Sequence, residues 1–222
     1  GAASAQPAAL PRSYALIVSG VSGDKAHYDK FWECASSLYK ALRGKCGYSD
    51  EDIVFLFEEK SAASAAIDDV STRANLAAAV EGLARRVREH DRLFVFVLGH
   101  ADRRNDRVLL NLRGPDIDAE EFGRLFDRFA GRRVTFVIAT PVSGYFVRHL
   151  SRPGRIVLTA TDALPEISEP VFPYVFVRGF FDPNADANRV GFLSVLELFR
   201  YARNEVEGFY RQAELIQTEH PL

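Results

Sequence analysis

Short, nearly unbroken apolar runs alternate along the chain with longer stretches whose apolar positions recur every three or four residues. The first pattern predicts strands buried on both faces, the second amphipathic helices. "YALIVSG" (Tyr14 to Gly20) is the first such strand, and the helix after it carries Phe31, Ala35, Leu38 and Leu42 on one stripe, ending at Gly44. "DIVFLFE" (Asp52 to Glu58) predicts a second strand. A helix beginning after Ser71 then aligns Leu76, Val80, Leu83 and Val87. "RLFVFVLG" (Arg92 to Gly99) is the third strand, and "RNDRVLLNL" after it reads as a small hairpin. Asp118 and Glu121 form a capping pair for a helix bearing Phe122, Leu125, Phe126 and Phe129. "RVTFVIAT" (Arg133 to Thr140) and "GRIVLTAT" (Gly154 to Thr161) supply the fourth and fifth strands, and "PYVFVRGF" (Pro173 to Phe180) the last. A closing helix shows Val195, Phe199, Ala202, Val206 and Phe209.

Strands separated by amphipathic helices need right-handed crossovers, so the predicted fold is α/β. It is a three-layer sandwich with a mainly parallel sheet of about six strands and helices on both faces. No repeat or long linker divides the chain. One domain is expected over residues 13–212, preceded by a flexible segment 1–12 and followed by a tail 213–222; a chain of 222 residues buries a core of that size without disulfides. In open parallel sheets, sites form outside the carboxyl ends of the strands. That singles out Gly99-His100, closing the third strand, and Thr140 to Gly144, closing the fourth.

Those two strand ends carry a resemblance. "DRLFVFVLGHADRR" resembles the strand and His-Gly turn of the caspase-like cysteine peptidases, the clan that includes legumain, caspases, metacaspases and gingipains. "VTFVIATPVSGYF" is similar to the following strand of that clan, which reads Asp-Ala-Cys, one variable residue, then Ser-Gly. Order and spacing agree from the first strand through "GRIVLTATDA", and the likeness is greatest to bacterial members of the legumain family. The resemblance implies the caspase-like form of the three-layer sandwich. It puts the catalytic His on His100 and the nucleophilic Cys on Pro141. Three further positions depart from the pattern: Ala101 stands for the Gly after the His, Ala139 for the acidic residue before the Cys, and "DKAHYDKFWEC" has no Arg-His pair. Such a peptidase needs a thiolate at the scissile carbonyl, and proline has neither a nucleophilic side-chain atom nor an N–H. The expectation is a non-catalytic pseudopeptidase that binds a peptide or protein. The alternative is a hydrolase on the same scaffold, with Ser143 as nucleophile activated by His100. Ser143 also reads as the N-cap of a short helix, and His100 as a polar residue ending a buried strand.

The remaining chemistry-bearing residues are sparse. Cys34, inside the first helix, reads as a buried structural thiol, and a helix continuing past it holds Cys46 too far away to bridge. His27, His90 and His149 are scattered without ligand spacing, and neither HExxH nor a Cys/His cluster occurs. "DANRVGFLSVLE" has the length of an EF-hand loop, with Asp186 first, Asn188 third, Gly191 sixth and Glu197 twelfth, but Val190 stands at position five. It resembles a calcium site lacking one ligand, with Asp182 and Asn184 as substitutes; the simpler reading, a turn rich in Asp and Asn capped into the last helix, is favoured. No other cofactor is expected.

Composition narrows the partners. A formal net charge of -2 argues against nucleic acid, whose binders show a basic face. The pairs Arg85-Arg86, Arg103-Arg104 and Arg132-Arg133 each sit among acids. No run of apolar residues is long enough for a membrane span. The opening "GAASAQPAALPRS" suits a mature end left after removal of a signal peptide, which points to export into the periplasm or medium.

Overall fold

The computed structural model describes residues 10–60, 66–163 and 169–222. In chain order its elements are β1 (Ser13–Ser19), α1 (Lys25–Cys46), β2 (Ile53–Phe57), β3 (Asp69–Val70), α2 (Arg73–Arg86) and β4 (Arg92–Leu98). A small antiparallel meander of β5 (Ala101–Arg104), β6 (Arg107–Leu110) and β7 (Ile117–Asp118) leads into α3 (Ala119–Leu125). Then come β8 (Arg133–Ala139), α4 (Val147–Leu150), β9 (Arg155–Thr159), α5 (Phe172–Gly179) and α6 (Val195–Gln212). The main sheet has six strands in the order β3-β2-β1-β4-β8-β9, all parallel, consistent with a caspase-like three-layer sandwich.

Apolar runs serve both faces because successive side chains of a strand point to opposite sides. In β4, Phe94, Phe96 and Leu98 face the layer of α1, α5 and α6, whereas Leu93, Val95 and Val97 face that of α2 and α3. β1 and β8 divide in the same way, Ile17 and Val137 to the first layer, Leu16 and Phe136 to the second. The caps follow the sequence. Asp24 accepts the His27 N–H at the start of α1, and Asp118 accepts that of Glu121 at the start of α3. Glu121 does not reach back to complete the box, because its carboxylate is paired with Arg73.

Three expectations need correction. Residues 172–179 form helix α5, not a strand. Pro173 suits the first turn of a helix, and Phe172, Val175, Phe176 and Gly179 are buried at helical spacing against α6. An apolar run this short does not distinguish a strand from a buried helix. The sixth strand is instead the two-residue β3. On α6, Phe209 is 44% exposed, and Leu198 and Tyr210 take the core positions beside Ala202 and Val206. α1 also runs past Gly44 to a left-handed cap at Gly47, carrying both cysteines about 18 Å apart along one helix; both are free.

Residues 213–222 are docked, not loose. The buried Glu219 carboxylate accepts the backbone N–H groups of Val171 and Phe172, where α5 begins. Leu222 exchanges two backbone hydrogen bonds with Thr159 on the outer side of β9. Of the segment 1–12, residues 1–9 lie outside the described residues. Arg12 is anchored, its N–H on Asp91 and its guanidinium on Asp52.

Candidate functional site at the carboxyl end of the sheet

β4 and β8 end side by side. Their last pair is Leu98–Ala139, and His100 and Pro141 each follow two residues later, where the two chains leave the sheet.

His100 is half-buried, and its Nε2 lies 3.0 Å from the Ser22 carbonyl, on the loop that leaves β1. A carbonyl only accepts, so Nε2 carries the proton there. The ring packs on Phe31 of α1 at 5.3 Å and meets the edge of His27 at 5.0 Å.

Pro141 is buried, and its fixed torsion starts a tight reversal. Val142 follows with φ +48°, a left-handed conformation that a β-branched residue adopts only under strain. Its side chain is 3% exposed, and its burial in the α3 layer holds it there. Strain of this kind, of order 1–3 kcal/mol, concentrates where a fold places a functional loop.

Ser143 does not cap a helix. It is the first residue of a 3-10 turn, Ser143–Phe146, and the capping position falls on Val142, whose side chain cannot accept. Its Oγ accepts the Thr161 N–H at 3.0 Å while its own N–H donates to Thr161 Oγ1 at 3.0 Å. That reciprocal pair, fully buried, fastens the turn to the chain leaving β9; no hydrogen bond joins Ser143 to His100 among the described residues. Gly144 tightens the same seam, its N–H donating to the Asp162 carbonyl at 3.2 Å.

A polar cluster that spacing did not reveal adjoins His100. His27 faces a carboxylate from each ring nitrogen, Asp24 Oδ2 at 2.7 Å from Nδ1 and Glu169 Oε2 at 3.2 Å from Nε2. Glu169 also holds Lys30 at 3.1 Å and receives the Tyr174 hydroxyl. Burial, then the Glu169 carboxylate, pushes that hydroxyl's pKa well up, while the backbone N–H of His27 holds Asp24 below the usual carboxylate range. The one local signal was Asp24 three residues before His27. Glu169 lies too far along the chain for any pattern to link it.

Beside this cluster an open depression of about 520 Å³ is lined by Ser22, Asp24, Lys25, Tyr28, Glu58 and Arg113. Its acids are engaged: Glu58 accepts the Ser22 N–H, and Glu59 accepts the Tyr28 hydroxyl, whose pKa burial and that carboxylate push up to about 12. Its position continues the strand ends, where ligands of parallel sheets bind.

No protein-family model matches the chain, and no curated protein does.

The other residues of chemical interest lie apart from the strand ends. Cys34 is buried in α1 with its Sγ 3.7 Å from the Pro173 carbonyl, and burial raises its pKa strongly, the environment of an inert thiol. The loop of Asp186, Asn188 and Glu197 sits at the start of α6, beside a larger depression of about 650 Å³ that Asp182 and Asn184 also line. Asp186 accepts the Gly191 N–H at 2.9 Å, and Asn188 accepts that of Val190 at 3.0 Å. Glu197 completes a capping box with Ser194. Among the described residues no group of three or more His, Cys, Asp or Glu is disposed to hold a metal ion. Ser194→Ala is expected to cost about 1 kcal/mol of stability, equally in EDTA and in millimolar calcium. A thermal midpoint that rises with calcium in the parent protein would return the loop to a metal-binding role.

Among the described residues no helix is long and apolar enough to cross a membrane.

Proposed function

We propose that the chain is a caspase- or legumain-like peptidase homologue without a nucleophile, acting by binding a peptide or protein segment at the carboxyl end of its sheet. The observation that carries this reading is Pro141, buried just beyond the end of β8 and beside the strand that leads into His100, at the point where such an architecture delivers a reactive side chain. Proline offers no atom to attack a carbonyl. Loss of a nucleophile removes most of the rate advantage of such a site. The hydroxyls on either side are committed, that of Thr140 to the Pro141 carbonyl and that of Ser143 to Thr161. The depression lined by Val21, Ser22, Asp24, Lys25, Tyr28 and Arg113 shares Ser22 with His100, and its polar groups suit binding.

The test is labelling by mechanism-based probes. A peptidyl acyloxymethyl ketone and a fluorophosphonate are both expected to leave the parent protein unlabelled. Pro141→Cys is expected to restore a thiol at that position without peptide turnover, since Ala101 and Ala139 remain. Fluorophosphonate labelling of the parent that disappears in Ser143→Ala would overturn this reading in favour of a serine hydrolase.

A further inference from the structure

On the other side of the same strand ends, two arginines share one aromatic ring. Arg103 lies on β5, three residues beyond His100, and Tyr145 lies in the turn four residues beyond Pro141. The Arg103 guanidinium stacks on the Tyr145 ring at 5.1 Å, and that of Arg148, from α4, on the same ring at 5.2 Å. Both arginines are exposed. Each spends its Nε locally, Arg103 on the Asn105 carbonyl and Arg148 on His149 Nε2. Neither has a carboxylate partner among the described residues, whereas Arg12, Arg73, Arg107 and Arg178 are each paired with one. His149, beside Arg148, has its pKa lowered by burial first and by the Arg148 charge second, with Glu120 and Asp118 opposing.

Two guanidiniums gathered on one ring repel each other, and a shared anion would relieve them. A guanidinium stacked on an aromatic face keeps its N–H edge free for the bidentate geometry that suits a carboxylate. The acids on the α1 side of the mouth already hold N–H, hydroxyl or ammonium donors, whereas the two guanidiniums at Tyr145 hold no carboxylate among the described residues.

We infer that Arg103, Tyr145 and Arg148 form an anion-receiving rim beside the cleft, and that the ligand is an acidic peptide segment whose side-chain carboxylates dock there. This rests on the peptide-binding reading and adds the ligand's chemical class.

The experiment uses the whole chain and three fluorescein-labelled decapeptides of alternating residues, Glu/Ala, Gln/Ala and Lys/Ala, followed by fluorescence anisotropy. The Glu/Ala peptide is expected to bind most tightly, and more weakly as salt rises. Arg103→Ala/Arg148→Ala is expected to weaken that binding about tenfold. Arg200→Ala/Arg211→Ala removes the same charge from α6, in the opposite layer, and is expected to leave binding within about twofold. Because both arginines of the rim are exposed, an unchanged thermal midpoint verifies the fold of the variant. Tyr145→Leu, which removes the shared ring and keeps both charges, is expected to lose part of the affinity. The inference is overturned if Gln/Ala binds as well as Glu/Ala, if the α6 variant loses as much as the rim variant, or if phosphatidylserine vesicles bind in place of any peptide. If no peptide of any charge binds, the peptide-binding reading falls, and this inference with it.

Discussion

Gly144→Ala is expected to destabilise the protein by about 3 kcal/mol, at the upper end of what an overpacked methyl costs. A Cβ built on Gly144 would lie 2.4 Å from the Asp162 carbonyl carbon and 2.5 Å from the Ala163 nitrogen. Both are backbone atoms, so no rotamer change makes room. The two chains must part, and the parting runs through the hydrogen bonds between Ser143 and Thr161, which are buried and have no water to replace them. Gly208→Ala is the control. It sits inside α6 with no atom within 4 Å of the added methyl, and is expected to be neutral or stabilising by up to about 1 kcal/mol through helix propensity. Urea denaturation of the two variants beside the parent measures both. Equal midpoints for Gly144→Ala and the parent would show that the seam holding Pro141 in place yields freely.

Phe126→Ala is expected to cost more, about 3–5 kcal/mol. Its ring is fully buried and centres a cluster in the α3 layer, meeting Phe136 edge-on at 4.9 Å and lying 5.1 Å from Phe122 and 5.9 Å from Phe129. Neighbouring rings this rigid collapse little into the vacated space, so most of the cavity persists. Against a typical total of 5–15 kcal/mol, the variant should be near its unfolding transition under mild denaturant. Phe209→Ala, on the exposed face of α6, is expected to lose under about 1 kcal/mol. Calorimetric or chemical unfolding distinguishes the two, and comparable losses would misassign the core.

The strands and long helices were legible because their patterns report environments that the chain itself creates. β4 is apolar at nearly every position because two helical layers cover it, and α1 shows a stripe because only one of its faces is covered. α5 was not legible. Eight residues flanked by Pro and Gly and buried nearly all round carry no period, and their helical form is decided by α6, against which Gly179 packs closely enough that an added Cβ would touch Leu198 and Tyr201 at 3.0 Å. At the candidate site, the strand ends legible in the sequence are where the structure places His100 and Pro141. Ser143 was assigned the wrong local role, because its true partner, Thr161, lies on a different strand's exit. The meeting of His27 with Glu169 and the seat of Glu219 at the start of α5 are likewise products of tertiary structure, in which residues distant in the chain are brought within hydrogen-bond reach.

The docking of Leu222 on Thr159 governs how this protein would aggregate. A sheet's outermost strand is an open template on which a second molecule can lay its own backbone and begin a fibre. At the β3 side the template is two residues long. At the β9 side one rung is already taken by the segment around Leu222, which Glu219 tethers from within. Polymerisation from that side therefore starts with a peeling step, and a proteolytic cut that frees this segment would act as a nucleation trigger without touching the core.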